Sequence, residues 1–332
     1  MMETRKVQKV GGGTYTVSLP VNWAQEHGLE AGGTAYLYTH RDGSLVVRWN
    51  EKEHSELATT QVELDDSDPR TAERLLRAAY TAGFRQIKIR NPDGITSDQR
   101  QAINRCTRSL TGVEISEESD CQIVVQGLLD ASDVSIRQST LQLQFITLSM
   151  HEAATSFVAG KTRESDHLIT RDDEADRIFR LITRHFNRSL LEFSELDQLG
   201  VTRPQLFEYY VTARQFERIA DHAVKIARCV QRTDHQLSED LSAEVRAMGD
   251  DARQVVEDAS NAIINGGSTE LAHQALDQCE QVVREARNLD QTVVQQAPED
   301  AYVLTRVLDS IIRTAKYGGN IAELQLRTSL RT

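Results

Sequence analysis

The chain has 332 residues, which at roughly 100–200 residues per domain implies two or three domains. Apolar residues make up 39% and aromatics only 5%, and no apolar run approaches the roughly 20 residues that cross a bilayer, so membrane insertion is excluded. The net charge is −12, and only seven of the 38 basic residues are lysines, the rest being arginine. Salt screens the self-repulsion of such an acidic, arginine-rich chain, so the composition suits a high-salt cytoplasm. The polar N-terminus shows no secretory signal, and a cytoplasmic location is expected. Cys106, Cys121, Cys229 and Cys279 are scattered without a C-x-x-C pair, and read as reduced, mostly buried thiols. The charge is uneven: residues 1–49 are net +1 and the remainder −13, so an anionic partner is expected to meet the head.

Residues 3–49 read as short strands around one short helix. Arg5-Lys6-Val7 opens a strand, Gly11-Gly12-Gly13 turns it, and Thr14 to Leu19 is a β-branched alternating run. Pro20 opens a helix to about His27, which Gly28 stops. Thr34–Thr39 and Ser44–Trp49 alternate across Asp42-Gly43, a hairpin signal. So short a unit buries little surface alone, and dimerisation is expected. This order of Arg5-Lys6-Val7, Gly-Thr-Tyr-x-Val-Ser-Leu-Pro20, a short helix, Gly28-Leu29 and a closing hairpin resembles the AbrB/SpoVT swapped-hairpin domain. The resemblance implies a homodimer with interleaved hairpins. Its barrel face either binds promoter DNA or serves only to pair subunits. Arg5, Lys6, Lys9, Arg41 and Arg48 are the candidates for phosphate or base-edge contact.

Residues 51–130 read as a small α/β unit. Gln61–Leu64 suits a strand, Asp68-Pro69 opens a helix that Gly83 ends, and Phe84–Ile89 alternates as a second strand. Asn91-Pro92-Asp93-Gly94 is a turn, Ser97 caps a helix through Leu110, and Cys121–Gln126 is the last strand. No nucleotide-binding fingerprint is present, and a spacer or dimerisation aid is the plainest reading.

From about Asp133 to Leu330 the pattern is helical almost throughout. Breaks near Gly160, Leu199–Pro204, Asp234–Ser238, Gly266-Gly267 and Ala297-Pro298 leave six long helices, grouped three and three. The expected organisation is therefore multidomain. A β-rich head spans 1–50, the α/β unit 51–130, and two tandem three-helix bundles 131–233 and 234–332.

Two acidic pairs stand out in the helical region, Asp172 with Asp176 and Glu217 with Asp221. Residues four apart share a helix face, and like charges there repel by a few tenths of a kcal/mol. A cation bound between the helices would offset that repulsion. So would arginines lacing a solvated face, since Arg177, Arg180, Arg214 and Lys225 are near in sequence. The run Phe216-Glu217-Arg218-Ile219-Ala220-Asp221-His222-Ala223 resembles the signature helix of the PhoU phosphate-uptake regulators, and Asp172-Asp-Glu-Ala-Asp176 its companion motif. The resemblance implies two tandem three-helix bundles and an iron or zinc site at Asp172, Asp176, Glu217 and Asp221. The second repeat places Ile312 and Lys316 at the acid positions, so one site is expected rather than two.

No histidine has H-x-x-x-H spacing, and His222 points about 100° from Asp221, which favours packing over ligation. No nucleophile signature occurs, and no enzymatic activity is expected. The composition is halophile-like, of an archaeal kind. The two resemblances together imply a regulator of phosphate uptake and homeostasis, a negative transcriptional regulator acting through its head. The alternative is an adaptor docking on a phosphate-transport ATPase subunit or a sensor kinase.

Overall fold

In the computed structural model the described residues are 4–39, 43–48, 57–64, 68–158, 165–192, 194–231, 238–266, 268–296 and 298–331. They fall into two compact units, Met1–Ser55 and Glu56–Thr332.

The first unit holds two separate antiparallel hairpins. Strands β1 (Gln8–Val10) and β2 (Thr14–Thr16) pair in the register Lys9↔Tyr15 about the glycine turn, where Gly11 takes φ +63°. Helix α1 (Val21–Glu26) follows Pro20, and β3 (Tyr36–Thr39) pairs with β4 (Leu45–Arg48). Arg5-Lys6-Val7 lies before β1 rather than in it, and β2 ends at Thr16, short of the expected Leu19. No described residue of this unit is buried. Val7, Val10, Tyr15, Val17, Leu37 and Leu45 all stand exposed, Tyr15 at 69%.

The second unit begins with a four-stranded sheet. Its strands β5 (Thr59–Glu63), β6 (Gln86–Arg90), β7 (Val113–Glu118) and β8 (Gln122–Gly127) lie in the order β5-β6-β8-β7, parallel between β5 and β6 and antiparallel elsewhere. Helix α2 (Pro69–Ala82) is the crossover between the parallel strands, and α3 (Ser97–Arg108) packs beside it. Asp68 caps α2 by accepting the Arg70 N–H at 2.9 Å. Thr96, rather than the expected Ser97, caps α3 in a reciprocal box with Gln99. Strand β7 was not foreseen. Its three glutamates and its register shift at Ile115/Glu117 belong to an edge strand, where charge discourages further pairing.

The C-terminal half of α2 is fixed by a helix far along the chain. Gly83 ends α2 at φ +108°, and a Cβ there would stand 2.5 Å from Arg188 Cγ, so glycine serves both conformation and close approach. The last carbonyls of a helix lack intrahelical donors, and α5 (Ser165–Leu191) supplies them here. Arg184 donates to the Tyr80 carbonyl at 2.7 Å and the Phe84 carbonyl at 2.9 Å. Asn187 donates to Thr81 at 2.8 Å, and Arg188 to Gly83 at 2.9 Å. The Arg184 guanidinium also lies 4.9 Å over the Tyr80 ring. Arg188 Nε meets Glu195 Oε2 at 3.0 Å, and His185 Nδ1 lies 2.6 Å from Glu195 Oε1, all within the interior.

Beyond α4 (Ile136–Val158) and α5 come a short α6 (Ser194–Leu199), α7 (Arg203–Gln231), α8 (Glu239–Ile264), α9 (Thr269–Gln296) and α10 (Pro298–Ser329). The six long helices stand where the breaks placed them, with α6 as an addition that packs on the turn at Ala131–Asp133. Helices α4, α5 and α7 pack as one triplet and α8, α9 and α10 as another, while α4 lies on α8 and α7 on α10. Buried apolar side chains run through all six without interruption, so the triplets share a single core across this seam. Polar bonds cross it at intervals: Gln144 to Ser260 at 2.7 Å, Thr328 to Glu208 at 2.8 Å and Arg137 to Asn265 at 2.7 Å.

Within the seam, His151 is fully buried and neither ring nitrogen has a hydrogen-bond partner. Burial holds its pKa down to about 3, with Arg253 and His222 adding repulsion. A histidine depressed in the fold and near 6.5 when unfolded is neutral in both states at pH 7. As pH falls below 6.5 the unfolded chain takes the proton first, so stability is lost. Between pH 7 and 5 this group alone costs the fold about 2 kcal/mol. Chemical denaturation at the two pH values should show that fall, reduced by that amount in His151→Leu. Replacing Arg188 by Ala leaves the buried Glu195 Oε2 without its guanidinium partner and the Gly83 carbonyl unpaired. The same assay should register a loss of about 3–5 kcal/mol.

Candidate functional site

The four acids predicted from sequence do come together. Helix α5 begins at Ser165, so Asp172 and Asp176 lie about two and three turns inside it. Buried Ala175 lies next to Asp176, and on α7 buried Ile219 and Ala220 lie between Glu217 and Asp221. The two helices pack against each other. The charges feel one another across the gap: Asp221 acts on Asp172, Asp176 and Glu217, and Asp176 acts on Glu217.

Burial pushes the Asp172 carboxyl up to about 6, and Asp176, Asp221 and Asp173 add to the rise against Arg228. Asp176 and Glu217 are also raised, again chiefly by burial. Arg180 opposes the rise at Asp176 and Arg214 at Glu217. Arg180 is ion-paired with Asp176, and Arg214 lies 3.6 Å from Glu217. The Arg214 guanidinium also covers the Phe179 ring at 5.3 Å, and Phe179 stacks on Tyr210. At this face carboxylates crowd one another and arginines lace them.

The donor set, oxygens from two helices, has the chemistry a hard divalent cation takes. The geometry differs. Among the described residues no three His, Cys, Asp or Glu side chains are grouped to hold one metal ion, and two of the four acids are already paired to arginine. As arranged, these residues do not fit a bound metal ion. In the second triplet, the corresponding Ile312 is half-buried and Lys316 exposed.

The head candidates are spread over the first unit. Arg5, Lys6 and Lys9 are exposed, with Lys9 on β1 6.0 Å over the Tyr15 ring. Arg48 is half-buried at the end of β4, and Arg41 lies outside the described residues. His222 packs against the Tyr317 ring at 5.8 Å, the helix-packing role expected of it. The cysteines correct one expectation: Cys106 and Cys279 are buried, but Cys121 is exposed and Cys229 only partly covered. Sequence reading missed Arg184, Asn187 and Arg188. Their signal was spacing, since the positions four residues either side of Arg184 are arginines and offer it no carboxylate along its own helix.

Comparison with known proteins places this geometry in a class. The PhoU domain matches residues 141–230, the stretch from α4 to α7 that carries all four acids. The structure is similar to PhoU from Pseudomonas aeruginosa, with TM-score 0.50 and 20% identity over 59% of this chain and 96% of that one. It is also similar to the phosphate transport system regulatory protein PhoU from Streptococcus pneumoniae, with TM-score 0.47 and 18% identity over 59% and 94%. No curated relative matches the chain. The helical region therefore has the PhoU fold, and no helix among the described residues is long and apolar enough to cross a membrane.

Because Asp172 is raised in the fold and near 3.8 when unfolded, its charge opposes folding at neutral pH. Asp172→Asn should increase unfolding free energy at pH 7.5 by about 1 kcal/mol, after allowance for solvent screening. The gain should shrink as pH falls through 6 and vanish below 4, as followed by urea denaturation at each pH.

Proposed function

We propose that this chain is a cytoplasmic, non-enzymatic regulator of phosphate uptake that works as a homodimer and binds promoter DNA through its head. The observation that carries the reading is the joining of a PhoU-fold helical region to a β-rich unit in which no described residue is buried. A unit of two hairpins with exposed Val10, Tyr15, Leu37 and Leu45 gains stability by burying those faces against a second copy. The AbrB-like order of its elements supports an intertwined pairing. A two-fold dimer presents Arg5, Lys6, Lys9, Arg41 and Arg48 twice, which suits a palindromic operator.

The head is only net +1, so affinity cannot rest on charge alone. Directional arginine contacts to base edges must carry it, above all where salt weakens counter-ion release. The same near-neutrality favours a second reading, in which the head only pairs subunits and the helices dock on a phosphate-transport ATPase subunit or a sensor kinase.

Gel shifts on promoter fragments of phosphate-transport genes, across a salt series, separate the two. Arg5→Ala/Lys6→Ala should weaken binding at least about tenfold and lower the salt slope by about 2, one for each lost phosphate contact. Equal binding by variant and wild type, or none by either, removes the DNA role. Co-purification of a transporter subunit without DNA binding selects the adaptor.

A further inference from the structure

The outward face of α3 takes no part in the core. Its inner positions Ala102, Ile103 and Cys106 are buried in the α/β unit. Its outer positions follow at helical spacing as Ser97, Arg100, Gln101, Asn104, Arg105 and Arg108, and line an open cavity of about 530 Å³. All six carry hydrogen-bond donors, and none is apolar. The neighbouring α2 extends this face. Cys106 Sγ lies 3.6 Å from the Glu73 carbonyl, Arg105 lies 3.3 Å from the Glu73 carboxylate, and Tyr80 donates to the Thr111 carbonyl at 2.9 Å. These contacts set the two helices parallel, with exposed Arg70 and Arg74 beside the stretch from Gln101 to Arg105. Together α2 and α3 carry six arginines and two acids, a net charge of +4 in a chain of −12. A basic last turn suits the α3 dipole, but that accounts for neither Gln101 and Asn104 nor the arginines of α2.

Protein–protein interfaces are built around an apolar centre, whereas protein–DNA interfaces are polar and strongly positive. The lining and the charge both select the second. A helix about 10–12 Å across fits a major groove about 12 Å wide, and Ser97 to Arg108 covers about 17 Å of helix. The amides of Asn and Gln pair with adenine, and arginine meets guanine or phosphate. The Arg105–Glu73 pair is 60% exposed on its arginine side and worth little in water, so it can open towards a phosphate. Arg100 is held by Glu118 and by the Ser119 carbonyl, which leaves Arg105 and exposed Arg108 as the freer cations of α3.

We propose that α3 is a DNA-contacting helix. Gln101 and Asn104 face base edges in the major groove of duplex DNA, while Arg105 and Arg108, with Arg70 and Arg74 on α2, meet the flanking phosphates. The chain as a whole repels a polyanion at long range, so the contact depends on these short-range bonds and weakens steeply with salt. This surface is separate from the head, and the inference holds if the head only pairs subunits.

The test is fluorescence anisotropy with the full chain on labelled duplexes, across a salt series. The probes are promoter fragments of phosphate-transport genes and a random sequence of equal length. Arg105→Ala/Arg108→Ala should weaken binding to both at least about tenfold, lower the salt slope by about 2, and leave the urea midpoint unchanged. Arg108→Ala alone should lower the slope by about 1, and serves where the double variant unfolds. Arg105→Lys/Arg108→Lys should keep the wild-type slope. Gln101→Ala/Asn104→Ala should cut the preference for promoter over random sequence at least about fivefold. Binding lost in Arg5→Ala/Lys6→Ala but unchanged in the α3 arginine variants overturns the inference and leaves the head reading in place, and the reverse pattern supports α3 against the head. Wild type that binds neither duplex, or binds polyglutamate through these arginines instead, overturns it. So does an unchanged preference in the amide variant, or a lysine variant whose slope falls like that of the alanine one.

Discussion

The arrangement of the second unit depends on a requirement of every helix end. At the end of α2 the Gly83 and Phe84 N–H groups reach only the Tyr80 and Ala79 carbonyls, and burying the carbonyls that follow unpaired would cost more than most side-chain contacts return. The chain meets this with Arg184, Asn187 and Arg188 on α5, more than 100 residues away. Burial lowers the Arg184 pKa to about 10, which leaves it charged at neutral pH. Its interaction is therefore with fixed dipoles, at the helix end where a positive charge is favoured. The same helix carries Asp172 and Asp176 two to three turns earlier. Helix α5 thus links the acid face to the α/β unit, and neither can move without disturbing the other.

The helical region satisfies two demands that pull against each other. Three-helix units close most economically as separate bundles, yet α4, α7, α8 and α10 bury their shared faces in one continuous core. The triplets persist because α9 packs chiefly on α8 and α10, and α5 on α4, α7 and α2 rather than on the second triplet. The seam remains specific because polar pairs such as Gln144 with Ser260 cross it. Each pair would be left unsatisfied by a slip of one helix turn. His151 is the cost of this seam, a buried ring without partners that stays neutral because burial forbids its charge.

How much of this could be read beforehand varied with the range of the interaction. Local chemistry was legible: Asp68-Pro69 at the start of α2, Gly83 at its end, Gly43 before β4 (Asp42 lies outside the described residues), and the breaks between the long helices. The four acids were legible as a set because two helical spacings and a resemblance agreed, although only the fold shows which arginines meet them. Strand β7 was passed over because its glutamates break the alternation that marks a strand, and α6 because six residues carry too little periodicity. The α2 clasp was hidden for a different reason. Arginines on a helix look like surface, and only a carbonyl row brought in from distant sequence turns them inward.

The head and the body place opposite demands on solvent. A body carrying most of the −13 charge outside residues 1–49 repels copies of itself and any polyanion, more strongly as salt is lowered. The head has little net charge to repel anything, and exposes apolar side chains that water disfavours. Raising salt weakens the first effect and strengthens effective burial in the second, so both changes favour association of heads. Pairing through the β-rich unit is therefore the contact that a concentrated salt solution strengthens, while salt-bridge contacts between bodies are the ones it weakens. The head pairing proposed above is thus favoured by the same salt that weakens contacts between the acidic helices.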